Sequence, residues 1–181
     1  MNNKSQTEHA RRVSFAGPER VTVPSMAPYV LQRLQWIPRP INDVFAFFAD
    51  AKNLETITPE WLGFRILTPE PITMEAGANV LYRLHWHGLP LRWLTEIQSW
   101  NPPHEFVDVQ VQGPYRLWHH THTFQPADGG TLMHDLVRYA LPYGLVGRVA
   151  HAWLVKSDLE AIFDHRAAKV AAIFGGQVRH E

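Results

Sequence analysis

The stretch His119-His120-Thr121-His122 sets two imidazoles, those of His120 and His122, two residues apart. On a β-strand that spacing turns both rings to one face, where they can move protons, orient a ligand or hold a metal. A carboxylate beside an imidazole selects its tautomer and stabilises its charged form. Asp108 and Asp135, one run of residues to either side, therefore join His120 and His122 as the candidates for catalysis. A metal is not expected, because the third ligand rests only on inferred register, and no cofactor is called for. The chain has no cysteine, which removes thiol nucleophiles, disulfides and thiolate zinc sites. Ser99, near a strand end, reads as a surface residue, so a serine triad is not supported.

Alternating runs separated by turn residues must position these groups. Residues 1–27 are polar, mixed in charge and broken by Pro18 and Pro24, and read as a flexible extension. Tyr29 to Ile37 reads as a strand stopped by Pro38 and Pro40. Short helices follow at Ile41 to Asp50 and Asn53 to Ile57. Six further strands are expected at Gly63–Pro69, Asn79–His87, Leu91–Trp100, Glu105–Gln112, Arg116–Gln125 and Thr131–Leu141. Val149 to Phe174 repeats Val155, Leu159, Ile162, Phe163, Val170 and Ile173 at helical spacing before Gly175-Gly176. One α+β domain over 28–176 follows, with 177–181 as a tail. Its curved seven-stranded antiparallel sheet would wrap around the long terminal helix.

The turns fix which side chains share a face. A two-residue turn at Asp128-Gly129 puts Phe124 opposite Met133, His122 opposite Asp135, His120 opposite Val137 and Trp118 opposite Tyr139. A three-residue loop at Gly113-Pro114-Tyr115 puts Gln110 beside Trp118, Asp108 beside His120 and Phe106 beside His122. The outer turns add Ile97 opposite Asp108, Thr95 opposite Gln110, Leu84 opposite Trp93 and Trp86 opposite Leu91. One face thus gathers Tyr82, Leu84, Trp86, Trp93, Ile97, Phe106, Trp118, Phe124, Met133, Val137 and Tyr139 around the polar Asp108, Gln110, His120, His122 and Asp135. The reverse face carries Arg83, Arg92, Glu96 and Arg138, so the aromatic face is the concave one. His85-x-His87 falls on the outer face as solvated strand residues.

From Tyr29 to Phe174 the element order resembles the helix-grip fold of the START-related SRPBCC superfamily, which includes pollen allergens, lipid-transfer domains and polyketide cyclases. Its local signature is Gly113-Pro114-Tyr115, the alternation Trp118, His120, His122, Phe124, then Gly130-Thr131, Asp135, Tyr139, Pro142 and Ile162-Phe163-Asp164-His165-Arg166. That run is similar to the bacterial polyketide cyclase/dehydrase-like ligand-binding branch. The resemblance implies a ligand cavity between sheet and helix.

Seven Trp, nine Phe and 11 His against 19% charged residues fit an aromatic interior that binds a hydrophobic or aromatic small molecule. Trp86, Trp93, Phe106, Trp118, Phe124 and Tyr139 would supply apolar contact; Asp108, Gln110, His120, His122 and Asp135 would orient the ligand. Arg166, on the apolar stripe of the terminal helix, would reach the carboxylates or clamp an anionic head. A cyclase or dehydratase using a His/Asp pair is the alternative. A non-catalytic interaction module, pairing through Leu94, Trp100, Val107, Val109 and Val111, is a third. Lys+Arg and Asp+Glu both number 17, which gives nucleic acid no basic field to follow. No run is apolar enough to span a bilayer, and the first 25 residues lack a signal-type apolar core. A cytoplasmic monomer or homodimer is expected, with Pro142-Tyr143-Gly144 and Gly147 as an entrance gate.

Overall fold

Alternating apolar residues in Tyr29–Ile37 build strand β1, which Pro38 and Pro40 end before helix α1, Ile41–Ala49. Helix α2, Ala51–Thr56, starts at Asp50, whose carboxylate accepts from the Lys52 amide at 3.0 Å. The computed structural model describes residues 27–142, 144, 146, 149, 151–175 and 177–179. The expected N-terminal extension, apart from residue 27, and the gate residues Tyr143 and Gly147 lie outside them.

The remaining strands are β2 (Arg65–Ile66), β3 (Asn79–Trp86), β4 (Leu89–Asn101), β5 (Glu105–Gln112), β6 (Leu117–Ala127), β7 (Gly130–Ala140) and β8 (Gln177–Arg179). They form one antiparallel sheet in the order β2-β3-β4-β5-β6-β7-β1-β8. Seven are the expected ones; β8 adds at the outer edge of β1, from residues that pattern alone leaves in the tail. Strand β2 is shorter than expected because regular pairing gives out at Thr68, whose hydroxyl takes the Leu81 amide at 2.7 Å.

A π-helical turn, His151–Val155, leads into the long helix α3, Lys156–Phe174. Helix α3 lies across the concave face on Leu159, Phe163, Ala167 and Val170, and ends at Gly175 in the left-handed region. Ile173, expected on that stripe, is 44% exposed, and the smaller Ala167 lets the helix approach the sheet. Gln35 donates to the Ala167 carbonyl at 2.9 Å and Arg33 pairs with Asp164 at 2.9 Å, so β1 holds the helix in place. No described helix is long and apolar enough to cross a membrane. The whole is a helix-grip fold.

Two registers differ from expectation. Tyr82 faces Trp93 and Leu84 faces Leu91, because the β3–β4 turn is His87-Gly88, both with positive φ, rather than Gly88-Leu89. The slip is two residues, so every side chain keeps its face. In β4 the turn pairs Asn101 with Glu105, and a bulge between Ile97 and Ser99 restores Ile97 opposite Asp108. Beyond the bulge Trp100 faces Phe106 and packs inside against Phe45. Trp100 is thus not part of an outer strip; of its four expected companions Val107 is buried and only Val111 is exposed.

Candidate functional site

Along β6, Trp118, His120, His122 and Phe124 point inward, with Asp135, Val137 and Tyr139 of β7 beside them. Phe124 belongs to one hydrophobic cluster, with Val44, Phe45, Phe106 and Val170. Trp118 packs on the other, with Val137, Tyr139, Leu159 and Phe163. The imidazoles occupy the seam between the two. His120 Nε2 lies 3.0 Å from Asp135 Oδ1, and His122 Nε2 lies 3.0 Å from Asp108 Oδ2. Register alone pairs Asp108 with His120 and His122 with Asp135; the aligned hydrogen bonds instead run diagonally. The register neighbours are still close, at 3.3 Å for His120 Nδ1 to Asp108 and 2.8 Å for His122 Nδ1 to Asp135, the latter out of line for a hydrogen bond. The two imidazoles, tilted by 40° with ring centres 3.7 Å apart, are held between two carboxylates.

Burial disfavours charge on every member, and the partners decide who keeps it. Burial opposes ionisation of Asp135, yet the close imidazole of His122 and the hydrogen bond from His120 hold its carboxyl far below the usual range. Asp108 is likewise lowered against burial by the two imidazoles and Arg166. For His122 the two carboxylates outweigh burial and raise the pKa, whereas burial and the neighbouring His122 lower that of His120. The cluster therefore holds two carboxylates, an imidazolium at His122 and a neutral His120. The contacts give His120 its proton on Nε2, towards Asp135, and leave a lone pair on Nδ1. One donor atom each from Asp108, His120 and His122 lies within 4.8 Å of the others, a spacing that a divalent ion could bridge.

Asp108, His120 and His122 form part of the wall of a cavity of about 360 Å³ between the sheet and α3. The rest of the wall is mainly apolar: Trp86, Trp93 and Trp118 from the sheet, Phe47 and Leu54 from α1 and α2, and Leu159 and Phe163 from α3. At one end Asp158 of α3 accepts from Trp86 Nε1 at 2.6 Å and contacts His87 Nε2 at 2.9 Å, tying the β3–β4 hairpin to the helix.

Residues 37–163 match the family described as polyketide cyclase / dehydrase and lipid transport. The chain belongs to this family. Among curated proteins none matches. Among solved structures it is similar to protein CV1439 from Chromobacterium violaceum, with a TM-score of 0.63 and 13% identity over 81% of this chain and 98% of that one. TTHA0849 from Thermus thermophilus gives 0.59 and 18% over 80% and 99%, and the protein Ara h 8.0201 gives 0.54 and 13% over 80% and 98%. These likenesses carry the fold.

Within that family fold, Trp86, Trp93, Phe106, Asp108, Trp118, His120, His122 and Arg166 come together on the cavity wall. Four other sequence candidates do not join them there. Asp135 sits behind the imidazoles. Phe124 and Tyr139 are packed into the two clusters. Gln110 is turned away, donating to the Tyr115 carbonyl at 2.7 Å and accepting its amide at 3.2 Å, so it braces the β5–β6 turn. His87 is exposed as expected, but it is a turn residue that contacts Asp158 rather than a strand residue. Sequence reasoning misses the wall from α1 and α2, Asp158, and the Tyr82–Thr95 hydroxyl pair at 2.9 Å. The aromatic residues of α1 were the available signal, since Val44, Phe45, Phe47 and Phe48 cover more of the helix than one packing stripe needs.

Proposed function

We propose that the protein binds a hydrophobic, ring-containing small molecule in the cavity between the sheet and α3. One observation carries the reading: an aromatic-walled space of about 360 Å³, within the range of small-molecule sites, with a buried polar cluster at one side. Apolar burial would supply affinity, and the His/Asp cluster with Arg166 would set orientation. The probe is phenylnaphthylamine, an uncharged aromatic dye that brightens in apolar surroundings. It should bind saturably, and Leu84→Trp, which fills the cavity, should weaken it at least about tenfold. Absence of saturable binding to the parent protein, or full binding to Leu84→Trp, would contradict the reading.

The opposite pKa shifts of the two imidazoles favour a second reading, a cyclase- or dehydratase-like enzyme. In it, neutral His120 takes a proton from carbon next to a ligand carbonyl through Nδ1. The positive charge of His122 stabilises the negative charge that develops on the carbonyl oxygen, and the proton returns from His120 to the leaving hydroxyl, released as water. Conversion of a candidate polyketide at equal rates by the parent and by a folded His120→Gln variant would remove this reading.

A further inference from the structure

The polar groups on the cavity wall can be followed one by one, and nearly all are already engaged. Asp108, His120 and His122 bind one another, Asp158 takes Trp86 and His87, and Thr95 takes Tyr82. Asn53 donates to the Phe47 carbonyl, Thr58 to the Leu54 carbonyl, and Asp50 accepts the Lys52 amide. Each carboxylate on the wall thus already has a partner, and Arg166 stands apart. Arg166 makes no hydrogen bond or ion pair among the described residues; its Nε is sealed from solvent without a partner, and its guanidinium carbon stands 4.9 Å from the Phe163 ring centre. Trp93 Nε1 is a second sealed donor without a partner. Trp93 is 7% exposed, so bulk water does not serve it.

A guanidinium beside an apolar chamber is worth most to an oxyanion, which it can grip through two parallel hydrogen bonds in a setting where salt screens weakly. Building on the cavity reading above, we infer that the natural ligand is an acid: an apolar ring system carrying a carboxylate or similar oxyanion, its head at Arg166 and its rings against the aromatic wall.

The test compares two dyes of nearly one shape, anilinonaphthalene sulfonate, which carries an anionic group, and uncharged phenylnaphthylamine. Both are titrated into the parent protein, Arg166→Met, which keeps the apolar stem, and Arg166→Lys, which keeps the charge. Circular dichroism and thermal melting confirm that each variant is folded. The inference expects Arg166→Met to weaken the sulfonate dye about tenfold or more, Arg166→Lys to restore part of the loss, and the uncharged dye to change less than about twofold. If both dyes bind and Arg166→Met leaves the sulfonate dye as tight as in the parent, the acid inference is overturned while the cavity reading stands. If neither dye binds the parent, the cavity reading falls and the inference with it.

Discussion

His122 carries the positive charge that allows Asp108 and Asp135 to stay ionised under α3. Its removal leaves two buried carboxylates facing a neutral ring, so His122→Ala should cost about 3–5 kcal/mol, read by urea denaturation. A loss below about 1 kcal/mol would mean that water already solvates the cluster. Stability should also depend on pH with a definite sign. Below about pH 6.5 the unfolded chain protonates both imidazoles while the folded cluster protonates only His122, so stability rises with pH. Above about pH 6.5 the unfolded chain holds neither proton and the fold still holds one, so stability falls until pH passes the raised pKa of His122. Below about pH 4 the unfolded chain gains protons that Asp108 and Asp135 refuse in the fold, which deepens the acid loss. Stability measured by denaturation across this range should therefore peak near about pH 6.5, and the alkaline fall should vanish in His122→Ala; a steady rise to pH 8 would contradict the assignment. Register made the four residues legible as neighbours. The diagonal bonding was not legible, because it depends on side-chain torsions that a ladder does not dictate.

At the scale of elements, close approach between β1 and β7 fixes the sheet beneath the site. A methyl group added at Gly130 would stand 2.4 Å from the Ile37 carbonyl oxygen and 3.0 Å from the Trp36 ring. Gly130→Ala should therefore destabilise by roughly 1–3 kcal/mol in thermal melts, and a neutral effect would show that β1 yields freely there. The turn at Asp128-Gly129 was legible in full: both residues adopt positive φ, and Ala127 pairs with Gly130 as expected. The β3–β4 turn was legible only to within two residues, since Trp86-His87-Gly88-Leu89 offers competing two-residue turns and the even slip leaves the faces unchanged. The bulge at Ile97–Ser99 has no such signal, and it is what carries Trp100 inward. The helical wall of the cavity was hidden for a different reason. Its contacts join α1 and α2 to strands far along the chain, and periodicity reports which face is apolar but not what it covers.

On the scale of the whole molecule, the sheet and α3 enclose two apolar clusters with a charged seam between them and a cavity alongside. That Arg166 stays without a hydrogen-bond partner among the described residues could not be read from residue order, since it is what remains after the other groups have found theirs. The central claim is that this space receives an apolar ligand. Its most direct test is the location of phenylnaphthylamine in the protein, measured by intermolecular nuclear Overhauser effects. The account predicts cross-peaks from the dye to Leu84, Leu159 and Ile162 on the cavity wall. Cross-peaks confined to exposed residues such as Trp61 and Val111, with none to those three, would contradict it.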